Sequence, residues 1–130
     1  MKSYEQRSAG EALVLVIAKP GRIGNSLQVL VNSMPGLKVV GLATNYISAM
    51  HMMIHYHPAL VLLDGDLPDN QAWAVLQQMQ LKQPRTPCLF FVSSIQQQRA
   101  ARAAGARAAL LKGFEAAELF STIETLLPQL

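Results

Sequence analysis

Short unbroken apolar runs alternate along the chain with longer amphipathic stretches, and glycine, proline or a charged residue marks most of the joins. The runs Leu13–Ile17, Ala59–Leu63, Cys88–Val92 and Ala108–Leu111, with Leu37–Leu42, which Lys38 and Gly41 interrupt, predict five strands. Apolar residues at consecutive rather than alternate positions mark strands buried on both faces, as in a parallel sheet covered by helices. After the first run, Ile23, Leu27, Leu30 and Val31 fall at i, i+4, i+7 and i+8, one stripe of a helix that Pro35-Gly36 ends. Asn45 is placed to cap a second helix that turns Ile47, Met50, Met53 and Ile54 inward and closes at His57-Pro58. Asp69 or Asn70 is placed to cap a third, with Trp73, Leu76 and Met79 on one face. A fourth runs from about Gln96 to Ala104, with Gly105 as its stop, and a fifth from about Glu115 to Leu127, burying Leu119, Ile123 and Leu126. Strand and helix in strict alternation, with short connections, predict a doubly wound α/β domain: a five-stranded parallel sheet with helices on both faces.

The central run stops on a carboxylate, in Leu62-Leu63-Asp64-Gly65-Asp66-Leu67-Pro68. Strands that point the same way share one edge for their carboxyl ends, and ligands and chemistry collect there. That edge carries Ala18-Lys19-Pro20, Asp64-Gly65-Asp66, Ser93-Ser94 and Lys112-Gly113. A carboxylate, a hydroxyl and a lysine converging on one crevice supply what an aspartyl-phosphate site needs: a nucleophilic oxygen, a donor and a positive charge. The simpler role for Asp64 is a strand-end carboxylate capping a turn.

Composition narrows the classes. A chain of 130 residues, 51% hydrophobic and 15% charged, predicts a single packed domain rather than disorder. It contains no apolar run of bilayer-spanning length, and residues 1–11 read as a polar tail without the apolar stretch of a signal peptide, so a cytoplasmic location is expected. The single cysteine, Cys88, sits in an apolar run and is expected to be a buried reduced thiol. The net charge of +3 is scattered, with no Lys/Arg run and no interleaved aromatics, which argues against direct nucleic-acid binding. Between Glu11 and Asp64 there is no acid at all. His51 and His55 have the i, i+4 spacing of a metal clamp, with His57 nearby, but lack an accompanying Asp, Glu or Cys and are expected to face solvent. Gly21-Arg22-Ile23-Gly24 lacks both the G-x-G-x-x-G spacing and a P-loop lysine, so it does not predict nucleotide binding.

Leu62–Pro68, Ala103-Ala104-Gly105-Ala106 and Leu110-Leu111-Lys112, in that order and spacing, resemble the receiver domain of two-component response regulators. Met34–Gly41 is similar to the second-strand approach of the subgroup with a helix-turn-helix output. The resemblance runs from about Leu13 to Leu127 and implies a receiver-like domain over residues 12–130, flavodoxin-like, with strand order 2-1-3-4-5. It implies that Asp64 stands at the phosphoacceptor position and Lys112 at the phosphate-contacting lysine, with the Ser93 hydroxyl near the site. It also implies a protein partner, whether a histidine kinase, an output domain or another receiver, with a homodimer left open. Gln97, Arg99 and Arg102 of the fourth helix would then belong to a docking face.

The departures are specific. Ala18 and Lys19 occupy the positions of the acidic pair that holds Mg²⁺ in the family, and Val92 and Ala109 those of the switch hydroxyl and aromatic. Gly113 follows the lysine where proline is usual. The chain therefore reads as a pseudo-receiver: no cofactor is expected, and any Mg²⁺ site is weakened to Asp64 and Asp66. Lys19 and Lys112 are expected to approach Asp64 together and stand in for the missing cation. The expected function is signalling through protein contacts without phosphorylation, with no enzymatic activity beyond self-phosphorylation and self-dephosphorylation at Asp64. The alternatives are a working phospho-switch at Asp64 and a flavodoxin-like small-ligand domain using the same crevice.

Overall fold

The structure is a computed structural model that describes residues 10–128; the expected tail lies almost wholly outside the described residues. The elements are β1 (Ala12–Ile17), α1 (Arg22–Asn32), β2 (Leu37–Ala43), α2 (Tyr46–Tyr56), β3 (Leu60–Asp64), α3 (Gln71–Lys82), β4 (Cys88–Val92), α4 (Ile95–Ala103), β5 (Ala108–Leu111) and α5 (Ala116–Leu126). All strand pairs are parallel, in the order β2-β1-β3-β4-β5. No helix among the described residues is long and apolar enough to cross a membrane.

Because alternate strand residues face opposite ways, the continuous apolar runs feed two cores. Leu15, Ile17, Val61, Leu63 and Phe90 pack with α2, α3 and α4 on one face, and Val14, Val16, Leu60, Leu62 and Phe91 with α1 and α5 on the other. Leu60, Val61, Leu62 and Leu63 are fully buried, each contributing about 1.5–3 kcal/mol of transfer free energy. That is why β3 lies at the centre and carries Asp64 rigidly at its end. The chain steps from β1 out to β2, then crosses back to β3, and this reversal opens a crevice at the carboxyl ends of β1 and β3. Ile17 pairs with Leu63, so Ala18 and Asp64 are neighbours at that crevice.

Two helix starts carry side-chain caps, the expected one at Asn45 and a second at Ser94. Asn45 accepts a hydrogen bond from the Ser48 backbone N–H at 2.9 Å, and Ser94 accepts one from Gln97 at 3.1 Å; such a cap stabilises a helix by about 1 kcal/mol. The start of α3 differs from expectation. Pro68 opens a 3₁₀ turn over Pro68–Asn70 that leaves Asp69 and Asn70 left-handed, at φ 59° and 57°, so neither side chain caps the helix. The largest correction concerns α2. Its sheet-facing stripe is Ala49 and Met53, whereas Ile47 and Ile54 are 67% and 68% exposed. At 100° per residue, the two isoleucines lie roughly a quarter to a third of a turn away from Met53 and miss the sheet. The histidines His51, His55 and His57 are exposed, as expected.

Candidate functional site at the carboxyl edge of the sheet

Among the described residues, Asp64 is the only buried charged side chain, with no exposed surface. The chain leaves β3 through Gly65, whose N–H donates to the Phe91 carbonyl at 2.9 Å. A Cβ there would lie 2.7 Å from that oxygen and 2.7 Å from a Phe90 ring carbon, so only glycine turns so close to β4. The turn brings the Asp66 N–H back to Asp64 Oδ1, 2.9 Å away. From the far side, β5 delivers Lys112, whose own N–H continues the ladder to the Val92 carbonyl at 2.8 Å. Its ammonium sits 2.6 Å from Asp64 Oδ1 and 2.6 Å from Asp66 Oδ2. Ser93 Oγ donates to the same Asp66 oxygen at 3.3 Å.

Lys112 thus bridges two carboxylates. Burial by itself would depress the ammonium, but hydrogen bonds to Asp64 and Asp66, with the charges behind them, outweigh it and hold Lys112 above the usual lysine range. The Lys112 hydrogen bond, working against desolvation and aided by the Lys112 charge, Ser93 and the Lys19 charge, holds Asp66 below the usual carboxylate range. Asp64 Oδ2 has no hydrogen-bond partner although it is fully enclosed. The arrangement is a buried carboxylate with one oxygen ion-paired and the other free.

The response regulator receiver domain family matches residues 14–124, most of the chain. The chain belongs to that family. Among curated protein sequences none matches it significantly. The receiver fold is closely shared with a LuxR-family two-component response regulator from Aurantimonas sp. SI85-9A1, at TM-score 0.83 and 21% identity over 92% of this chain and 86% of that one. The receiver domain of Francisella response regulator 1452 gives 0.80 and 16% over 92% and 98%. The response regulator domain of Thermotoga maritima CheB gives 0.78 and 21% over 91% and 97%.

Within this receiver the predicted residues divide. Asp64, Asp66, Ser93 and Lys112 come together as one cluster, while Lys19 does not join Asp64. Among the described residues the ion pairs are those of Lys112; Lys19 is exposed, and its charge is felt at Asp66. The cause is the end of β1, where Ala18 takes the inward position, fully buried with its N–H on the Ala43 carbonyl at 3.0 Å, and Lys19 turns outward. Ser93 serves Asp66 rather than Asp64. Val92 is buried in the core, as is Ala109. Ala109 packs beneath a contact that spacing did not reveal: Gln98 Nε2 donates to its carbonyl at 2.8 Å, pinning α4 to β5. Gln97 is half-buried and accepts the Ser93 N–H at 2.8 Å, so of the three candidate docking residues only Arg99 and Arg102 are exposed. Among the described residues no group of three or more His, Cys, Asp or Glu side chains is placed to hold a metal ion. Cys88 is buried away from the cluster, at the start of β4, and burial pushes its thiol up to about 12.

Proposed function

We propose that this receiver is a signalling module that acts through protein contacts independently of phosphorylation, with the ammonium of Lys112 in the charge-neutralising role at Asp64. The observation that carries the reading is the double ion pair of Lys112 beside Ala18 and Lys19. Mg²⁺ demands near-octahedral oxygen coordination, usually with carboxylate ligands. The donors on offer are the free Asp64 Oδ2 and an Asp66 already held by Lys112 and Ser93, with the Lys19 charge acting on the same residue. This set does not fit a resident Mg²⁺. A phosphoryl group reaching Asp64 would find one lysine, already shared between two carboxylates, where transfer requires its spread negative charge to be neutralised. Partners are proteins of the same signalling system: a histidine kinase, an output domain or another receiver. The module has no catalytic turnover of its own, works in the cytoplasm and does not itself bind nucleic acid.

A working phospho-switch is the second reading, favoured by one observation: Asp64 Oδ2 carries no hydrogen bond and is the oxygen left for attack. Mass spectrometry after incubation with acetyl phosphate and Mg²⁺, beside an Asp64→Asn control, separates the two. The proposal expects no phosphoryl adduct in either protein. An adduct that the control lacks would establish the switch instead.

A further inference from the structure

We propose that the groove between α2 and α3 is a docking site for an acidic amphipathic helix of a partner protein. Ile47, Met50 and Ile54 fall at i, i+3 and i+7, one line along the outer shoulder of α2, and the two isoleucines are among the most exposed large apolar side chains described. Met50 and Ile54 of this line, with Gln78, Met79 and Lys82 of α3 across from them, bound a cavity of about 240 Å³, and Ile47 extends the apolar line outside its lining. That is below the roughly 300–1,000 Å³ typical of small-molecule pockets, and suits inserted side chains rather than a cofactor. Methionines on its floor, Met53 and Met79, can adapt their shape to an incoming residue. The groove is preformed, because the Tyr46 N–H at the start of α2 donates to Gln71 Oε1 at the start of α3, 2.7 Å away.

Charge identifies the occupant. At its far end Lys82 also lines a second cavity, of about 330 Å³, together with His57 and Arg85. Neither helix carries an Asp or Glu, and none occurs in the sequence from 12 to 63 or from 70 to 114. An apolar line with a cationic end and no acid matches a helix that presents aliphatic side chains on one face and carboxylates beside them, the helix-in-groove mode. A second copy docking the same face would bring no Asp or Glu from either helix to meet Lys82, and a flat lipid surface does not fill a concave groove. The groove runs from the Asp64 edge toward the opposite edge of the sheet and does not include Arg99 or Arg102. It stands or falls independently of the chemistry at Asp64.

The test titrates the ¹⁵N-labelled full chain with a synthetic helical peptide carrying leucines at i, i+3, i+4 and i+7 and glutamates at the remaining positions. A companion peptide has lysine in place of every glutamate, and phosphatidylglycerol vesicles and a sedimentation series complete the set. The expected result is saturable shifts confined to residues 46–57 and 78–86 with the acidic peptide alone. Affinity should fall about tenfold or more in Ile47→Ser/Ile54→Ser, as for loss of central apolar anchors, and clearly in Lys82→Glu. Because both isoleucines are exposed, the double variant should fold, which its unchanged amide spectrum elsewhere would establish. Absence of binding, equal binding of the lysine peptide, shifts centred on Arg99 and Arg102, capture by the vesicles, or self-association abolished by the double variant would each overturn the proposal.

Discussion

Replacing Lys112 by methionine keeps the aliphatic stem and removes the charge that holds Asp64 and Asp66 together. In the wild type the ammonium lies 2.6 Å from an oxygen of each carboxylate, and Asp64 has no contact with water to take over. Breaking a buried ion pair by deleting one partner costs about 3–5 kcal/mol, because the remaining charge stays uncompensated. Lys112 itself is about a quarter exposed and Asp66 is 41% exposed, so the low end, about 3 kcal/mol, applies. For a domain of this length that corresponds to a fall in Tm of roughly 10 °C. Urea unfolding followed by circular dichroism measures it. The pairing logic makes a second demand: Asp64→Asn/Lys112→Met, which removes both charges of the pair, should recover most of the loss. A Lys112→Met protein within about 0.5 kcal/mol of wild type, the ordinary scatter of surface substitutions, would refute the claim that this lysine neutralises Asp64.

The pH dependence follows from the same cluster. Asp66 is held below its ordinary value, so its contribution is present above about pH 4 and is lost as pH falls further. Lys112 is held above its ordinary value, so its contribution persists to about pH 10.5 and is lost beyond. The urea midpoint should therefore decline at both extremes, and Lys112→Met should shrink the alkaline decline to the part contributed by the buried Cys88 thiol, which is also held above its ordinary value; an unchanged alkaline limb would count against the assignment. Gly65→Ala forces a methyl against the Phe91 carbonyl and the Phe90 ring, and should cost about 1–3 kcal/mol in the same assay, where a neutral result would show that the turn can relax. Cys88, with its thiol pushed up to about 12, should resist a thiol-specific reagent at pH 8 in the native protein and react at once in urea; prompt native labelling would mean that β4 opens readily.

Four of the strands were legible because each is a continuous apolar run with its own punctuation, as two-sided burial in a parallel sheet demands, while the edge strand β2, interrupted by Lys38 and Gly41, is only half-buried. The cap at Asn45 follows from local chemistry and was readable, whereas Ser94 went unassigned as a cap because the helix was expected to start at about Gln96 rather than at Ile95. The inward face of α2 was not. Ile47, Met50 and Ile54 satisfy helical periodicity as well as Ala49 and Met53 do, and a small alanine carries little weight beside an isoleucine until the sheet above it is known. At the site, topology placed Asp64, Ser93 and Lys112 on one edge before any coordinates. Which oxygen Lys112 reaches depends on a separation of 46 residues closed only by the fold, so its second bond, to Asp66, could not be foreseen. Lys19 shares that edge in sequence, and only the burial of Ala18 decides that it turns outward. Gln98, which meets the Ala109 carbonyl, carried the signal of a polar residue on a helix beside a buried strand, and nothing in its spacing singled it out.

The central claim is that Lys112, and no resident metal, neutralises Asp64. Its most direct test is a Mg²⁺ titration, with and without beryllofluoride, followed through the amide resonances of Asp64, Asp66 and Lys112, beside an Ala18→Asp/Lys19→Asp variant that restores two acids at the crevice. The account predicts no saturable response in the wild type through millimolar Mg²⁺ and a saturable one in the variant. Saturable shifts at Asp64 in the wild type, deepened by beryllofluoride, would contradict it and make this receiver a metal-dependent phospho-switch.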